Sequence, residues 1–173
     1  NSPKARRSSV PAGIRVDIHR SRDVCGVSMD VLRRLAIFLT SCIARDLCPF
    51  HPSHIALTLT TNSGIITFNS RTFNRSCSTD VICCPYLPLP GESLPSSGDI
   101  ILNVERAMQK GRGNGRWDGS HELALYLAHG LDHLAGGRDL TPAQRRRMVR
   151  REISWVNAAA AQGLTNGLLA EQR

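Results

Sequence analysis

What is scarce in this chain narrows the field first. No apolar run is long enough for a bilayer: the longest, Leu35 to Ala44, is broken by Thr40 and Ser41, whereas a spanning helix needs roughly 20 apolar residues. Acidic residues number 14 against 22 lysines and arginines, leaving a formal charge of +8. So basic a surface draws anionic partners, nucleic acid or an anionic membrane among them, without naming one. Aromatics make up only 5% of the chain, so Trp117 and Trp155 read as packing groups rather than base-stacking platforms. Among the six cysteines, Cys25, Cys42, Cys48, Cys77, Cys83 and Cys84, there is no Cys-x-x-Cys couple, and two are adjacent. They read as reduced thiols of a cytoplasmic protein and not as zinc ligands, with Cys42 and Cys83 filling core.

What is present suits one domain with its own core: 173 residues, 41% apolar and 21% charged. Residues 1–12 read as a flexible basic arm, since no apolar stretch follows its basic residues as a secretory signal requires. The domain is expected over 13–162, with a frayed glycine-rich tail over 163–173. Ile14, Val16 and Ile18 alternate with polar residues as a strand; Ser28 caps a helix reaching about Leu47; Ile55, Leu57 and Leu59 mark a second strand. A short helix over Asn62 to Phe73, strands at Thr79 to Cys84 and Gly98 to Val104, and a helix over Val104 to Lys110 follow. Pro85 to Ser97 is a long proline-rich loop, and Gly111 to Gly115 a flexible basic connector. A helix beginning at Asp118 or Ser120 carries two histidines. Thr141, Pro142 and Gln144 open a last helix to about Ala160, with Val149, Ile153 and Val156 as its apolar stripe and Arg145, Arg146, Arg147, Arg150 and Arg151 opposite. The order predicts an α+β fold, a small mixed four-stranded sheet covered by about five helices.

The chemistry concentrates between Leu127 and Asp139. His129 and His133 are four apart, so a helix puts both on one face, a turn apart. Gly136 and Gly137 then end the helix and permit a reversal that returns Asp139 toward the same point. Three ligands with a fourth place for water is the plan of a catalytic zinc site. Histidines at this spacing also occur on solvated faces and in hydrogen-bonded cores, and it is the glycine at the turn that favours a metal. A zinc-bound water near neutral pKa makes hydrolysis the natural reaction. Peptide hydrolysis is disfavoured, because the glutamate that follows the first histidine in His-Glu-x-x-His peptidases is here Gly130. Asp132 projects about 100° from His133 and suits a supporting or surface role. His121 and Glu122 lie two turns upstream of His129, and His19, His51 and His54 suit surface positions. The arginine run of the last helix is equally a solvated face or, with Lys110, Arg112 and Arg116, a set of phosphate contacts.

From about Asn69 to Asp139 the chain resembles the YbeY family of bacterial metal-dependent endoribonucleases. Thr79-Asp80-Val81-Ile82-Cys83-Cys84-Pro85 is similar to the family's Thr-Asp-Val-Leu-Ser-Phe-Pro, Gly98-Asp99-Ile100 to its Gly-Asp-Ile, and His129 to Asp139 to its His-Gly-x-Leu-His-Leu-x-Gly-Tyr-Asp-His. The resemblance implies one Zn2+ per chain, held by His129, His133 and Asp139. It also implies single-stranded RNA as substrate, and work on ribosomal RNA of the small ribosomal subunit, in 3′-end maturation and ribosome quality control. The chain departs from the pattern at four places. Asp139 stands where the family has histidine, making the site one charge more negative. Phe73 takes the place of an arginine, a residue that would hold a phosphate, so Arg71, Arg75 or Arg138 is expected to substitute. Gly136-Gly137-Arg138 replaces Gly-Tyr-Asp, and Asp132 replaces a leucine. The leading expectation is a zinc-dependent endoribonuclease with His129, His133 and Asp139 acting through the metal, aided by Arg138 and Arg75. Alternatives are a ribosome-associated RNA-binding factor with weak or lost catalysis, and a metallopeptidase.

Overall fold

The computed structural model describes residues 13–47, 49–86, 97–113 and 117–170. The basic arm and most of the proline-rich loop lie outside them. Strands β1 (Arg15–Arg20), β2 (His54–Thr60), β3 (Val81–Pro85) and β4 (Ser97–Asn103) form one sheet in the order β1-β2-β4-β3. β1, β2 and β4 are parallel, and β3 pairs antiparallel with β4, Cys83 opposite Ile100. The helices are α1 (Met29–Asp46), α2 (Asn62–Phe73), α3 (Val104–Gly113), α4 (Gly119–Leu134) and α5 (Pro142–Ala161). Among the described residues this is the predicted α+β fold, with a mixed four-stranded sheet and five helices.

The alternation of side chains along β4 separates the two layers. Ile100 and Leu102 join the main core with Ile55, Leu57 and Leu59 of β2 and the apolar faces of α1, α4 and α5. Ile101, one residue out of phase, packs with Ile65 of α2 and Ile82 of β3 on the other face. α4 sits in the middle, contacting β3, β4, α1, α3 and α5. Its buried residues run from Ser120 to Leu134 and lie on most of its circumference. Gly130 lets it approach the sheet: a Cβ there would stand 2.7 Å from Ile100 Cγ2 and 3.1 Å from Val81 Cγ2, too close for ordinary packing. A glutamate at 130 has no room, which removes the peptidase base for a packing reason.

Caps occur where the residue types require them. Ser28, Thr61 and Asp118 accept from the first turns of α1, α2 and α4, and Thr141 with Gln144 closes a full capping box on α5. Buried Asn103 ends β4 and opens α3. Its Nδ2 donates to Asn62 Oδ1 at 2.8 Å and to the Thr79 carbonyl at 2.9 Å, while its Oδ1 accepts from Arg106 N at 3.1 Å. One side chain thus ties α2, α3 and the segment leading into β3 to the end of the central strand.

Three expectations need correction. α3 continues to Gly113, so Gly111 to Gly113 is helix rather than connector. α5 turns Met148, Glu152, Trp155, Val156 and Ala159 inward, while Val149 is 42% exposed; the helix is rotated so that a buried acid and a tryptophan fill the interface. The frayed tail is instead docked through residue 170. Gly163 and Gly167 take φ of 72° and 67°, left-handed turns that glycine adopts at low cost. These return the chain so that Ser28 N donates to the Leu168 carbonyl at 2.9 Å and Ala170 N to the Gly26 carbonyl at 2.7 Å. Leu168 is fully buried in the main core. Leu168→Ala is therefore expected to cost about 2–5 kcal/mol in denaturant unfolding, whereas Leu140→Ala, at a side chain 80% exposed, leaves stability within about 0.5 kcal/mol.

Candidate metal centre

His129 and His133 emerge from the last two turns of α4, each ring held at Nδ1. Glu152 of α5, a buried acid, has Oε1 2.8 Å from His129 Nδ1. The Gly137 carbonyl lies 3.0 Å from His133 Nδ1. A carbonyl only accepts, so His133 carries its hydrogen on Nδ1, and the carboxylate asks the same of His129. With both rings neutral each Nε2 is left with a lone pair, and the two face each other at 3.1 Å.

Two lone pairs at that separation repel unless a cation lies between them. Two nitrogens of a tetrahedral zinc site with bonds of about 2.1 Å stand about 3.4 Å apart, close to the geometry here. Asp139 completes the set: one ligand atom from each of His129, His133 and Asp139 lies within 4.8 Å of the other two. The hydrogen bond of each imidazole to a carboxylate or carbonyl on its far nitrogen is the usual support of a metal-binding histidine. The residues present fit a zinc-like ion.

The turn that delivers Asp139 depends on the pair Asp132–Arg151. Asp132 is fully buried and accepts from Arg151 Nε at 2.6 Å and Nη2 at 2.5 Å. These bonds raise the pKa of the guanidinium further, while burial holds the Asp132 carboxyl above the usual carboxylate range against the opposing pull of the two-pronged Arg151 pairing. Gly136 has φ 88°, and Gly137 N donates to the Asp132 carbonyl at 2.8 Å. A Cβ on Gly137 would collide with the Asp132 carboxylate and crowd Arg151 Nη2 at 2.9 Å. Asp132, Gly137 and Arg151 therefore form one unit beneath the turn.

The cleft in front of the ligands encloses about 760 Å3 and is lined among others by Phe73, Arg75, Asp80, Cys83 and Arg145. Arg145 Nη2 lies 3.4 Å from Asp139 Oδ2, a cation set against the carboxylate that adds negative charge to the site. Burial lowers the His129 pKa, but the hydrogen bond and charge of Glu152, with the charges of Asp80 and Asp139, outweigh it and raise the value. The site attracts positive charge, whether proton or metal.

Arg75 is exposed and lines the cleft, whereas Arg138 is exposed beside a separate hollow with Leu47, Gln144 and Arg147. Arg71 also lies outside the lining of the cleft. His121 pairs with Asp118, and buried Glu122 faces Lys110 at 3.9 Å, so neither joins the ligands. Glu152 was not legible as a site residue, and the pairing of Asp132 with Arg151 and of Arg145 with Asp139 was not legible either. Glu152 is hidden in an arginine-rich helix, and its one signal is an acid on the inward face of that helix.

Comparison with known proteins identifies the family. Residues 23–160 match the family described as Endoribonuclease YbeY. A protein of that name from Anaeromyxobacter sp. (strain Fw109-5) is 34% identical over 119 residues, covering 69% of this chain and 59% of the relative. Another, from Anaeromyxobacter dehalogenans (strain 2CP-C), is 32% identical over 140 residues, covering 81% and 67%. The chain thus spans roughly three fifths to two thirds of the length of these relatives. A Thermotoga maritima protein solved in solution superposes with a TM-score of 0.58 at 18% identity, over 92% of this chain and 99% of that one, and shows the likeness of fold.

If Glu152 orients His129, Glu152→Gln is expected to weaken zinc binding about 10- to 100-fold, as read by competition with a chromophoric chelator. His133→Ala abolishes it. Equal affinity in Glu152→Gln and the parent would remove Glu152 from the site.

Proposed function

The chain belongs to the YbeY endoribonuclease family, and from that premise we propose that it is a zinc-dependent endoribonuclease of single-stranded RNA. The observation that carries the reading is the convergence of His129 Nε2 and His133 Nε2, 3.1 Å apart, beside Asp139 in a cleft that also holds arginines. His129, His133 and Asp139 would hold the zinc ion, which when bound would supply a Lewis acid for a phosphate oxygen and a water acidified toward neutrality.

The chain's own residues supply the rest. Glu152 and the Gly137 carbonyl keep both imidazoles turned to the cleft, so no reorientation is needed when substrate arrives. Arg75 offers a guanidinium to a phosphate from the exposed segment after α2, and takes the part left open by Phe73. Arg145, beside Asp139, offers a second. Arg146, Arg147 and Arg150 are exposed on α5 and extend the positive surface past the cleft, where they hold the RNA backbone without reading its sequence. Lys110, engaged with Glu122 and over the Tyr126 ring, stands apart from this surface.

In this reading the substrate is ribosomal RNA of the small subunit, cut at its 3′ end and in ribosome quality control, in the cytoplasm. Among the described residues no helix is long and apolar enough to cross a membrane.

The test is cleavage of single-stranded ribosomal RNA by zinc-loaded protein. Turnover is expected in the parent, stopped by a chelator and restored by zinc. His129→Ala is expected to lose cleavage while keeping salt-sensitive RNA binding, because the arginines are untouched. RNA binding by the parent with no metal-dependent cleavage would favour a binding factor instead, and cleavage undiminished in His129→Ala would contradict the site.

A further inference from the structure

Phe73 ends α2 with its side chain 48% exposed, and it lines the same cleft as His129, His133 and Asp139. Large exposed apolar side chains are common singly, and Phe68 of the same helix, 43% exposed, lies outside the cleft lining. Phe73 differs in place and in company. Arg75 lies beside it on the cleft wall, and Arg145 is on the side of Asp139. An aromatic face flanked by cations in an open cleft is the combination that binds single-stranded nucleic acid: bases stack on the ring while arginines track the phosphates.

The wall is also fixed in place. Asn74 takes the left-handed conformation at φ 53° and closes α2, its N–H donating to the Ser70 carbonyl at 3.1 Å. Buried Asn69 accepts from Arg75 N at 3.3 Å through its own carbonyl and donates from Nδ2 to the Cys77 carbonyl at 2.8 Å. The turn carrying Phe73 and Arg75 is thus stapled on both sides, so stacking there costs little ordering of the protein. A cleft of about 760 Å3 falls in the range of roughly 300–1,000 Å3 that encloses a ligand of drug size, and so admits one extruded base with its phosphate.

We infer that Phe73 is a base-stacking platform: it receives an unpaired base of the RNA next to the phosphate held at the metal centre, and Arg75 holds that nucleotide's phosphate. This rests on the endoribonuclease reading and adds a dependence of binding on an unstacked base beside the held phosphate. Phenylalanine has no charge to offer a phosphate, so its contribution to binding depends on the base and not on the backbone.

The experiment measures binding by fluorescence anisotropy, without added metal, of a short oligoadenylate and of an abasic oligomer of equal length. Phe73→Ala is expected to weaken oligoadenylate binding about 5- to 150-fold and to leave abasic binding unchanged. Phe73→Trp retains the parent affinity, Phe73→Leu falls short of it, and Phe68→Ala has no effect. Arg75→Ala weakens both oligomers. Because the ring is half exposed, thermal unfolding of Phe73→Ala stays near that of the parent, which separates lost stacking from lost fold. Oligoadenylate binding that is tight in the parent and unchanged in Phe73→Ala overturns the platform and leaves the endoribonuclease reading intact. A parent that binds neither oligomer overturns both.

Discussion

Everything at the site depends on the contact between the end of α4 and the middle of α5, where Glu152 holds His129 while Arg151 holds Asp132 one turn further along. Neighbouring residues of one helix thereby set a ligand and the turn that supplies the next ligand. The other helix cannot shift to escape, because α4 is packed on the sheet at Gly130 and surrounded by α1, α3 and α5. The rigidity matters chemically. Two imidazoles whose lone pairs already converge form a preorganised pair, and the energy of holding them there comes from the folding of the core rather than from ion binding.

The charges follow a similar logic. A carboxylate ligand at 139 makes the cleft more negative than a histidine would, and Arg145 is placed against it. Asp80, Glu152 and Asp139 raise the basicity of His129, while Arg75 and the exposed arginines of α5 keep the surroundings positive. A phosphate backbone is attracted to the rim and a cation to the centre. Without a negative centre in a positive rim the same residues would make only a nonspecific anion surface.

Much of the fold was legible because its signals are local. Alternation in β1 and β2, the cap at Ser28 and the Thr141–Gln144 box each follow from residues within a few positions. Histidine spacing and Gly136 likewise pointed to the cluster of His129, His133 and Asp139. What stayed hidden depends on tertiary partners. Gly163 and Gly167 read as looseness, yet they serve turns whose purpose is to bury Leu168, a partner distant in sequence. The inward face of α5 is set by distant partners, Glu152 facing His129 at 2.8 Å and Trp155 Nε1 donating to Asp46 Oδ2 at 2.7 Å. The odd residues Asp132 and Gly137 look like separate departures in sequence. In the structure they are one exchange with Arg151, since a side chain at 137 would occupy the space of that ion pair.

The central claim is that zinc is held by two imidazoles and a carboxylate. X-ray absorption at the zinc edge of the loaded protein tests it most directly. The account predicts two imidazole nitrogens at about 2.0–2.1 Å with oxygen donors completing the shell, and one imidazole fewer in His129→Ala. Sulfur at about 2.3 Å, which Cys77 and Cys83 in the same cleft would supply, or a spectrum unchanged by His129→Ala, would contradict it.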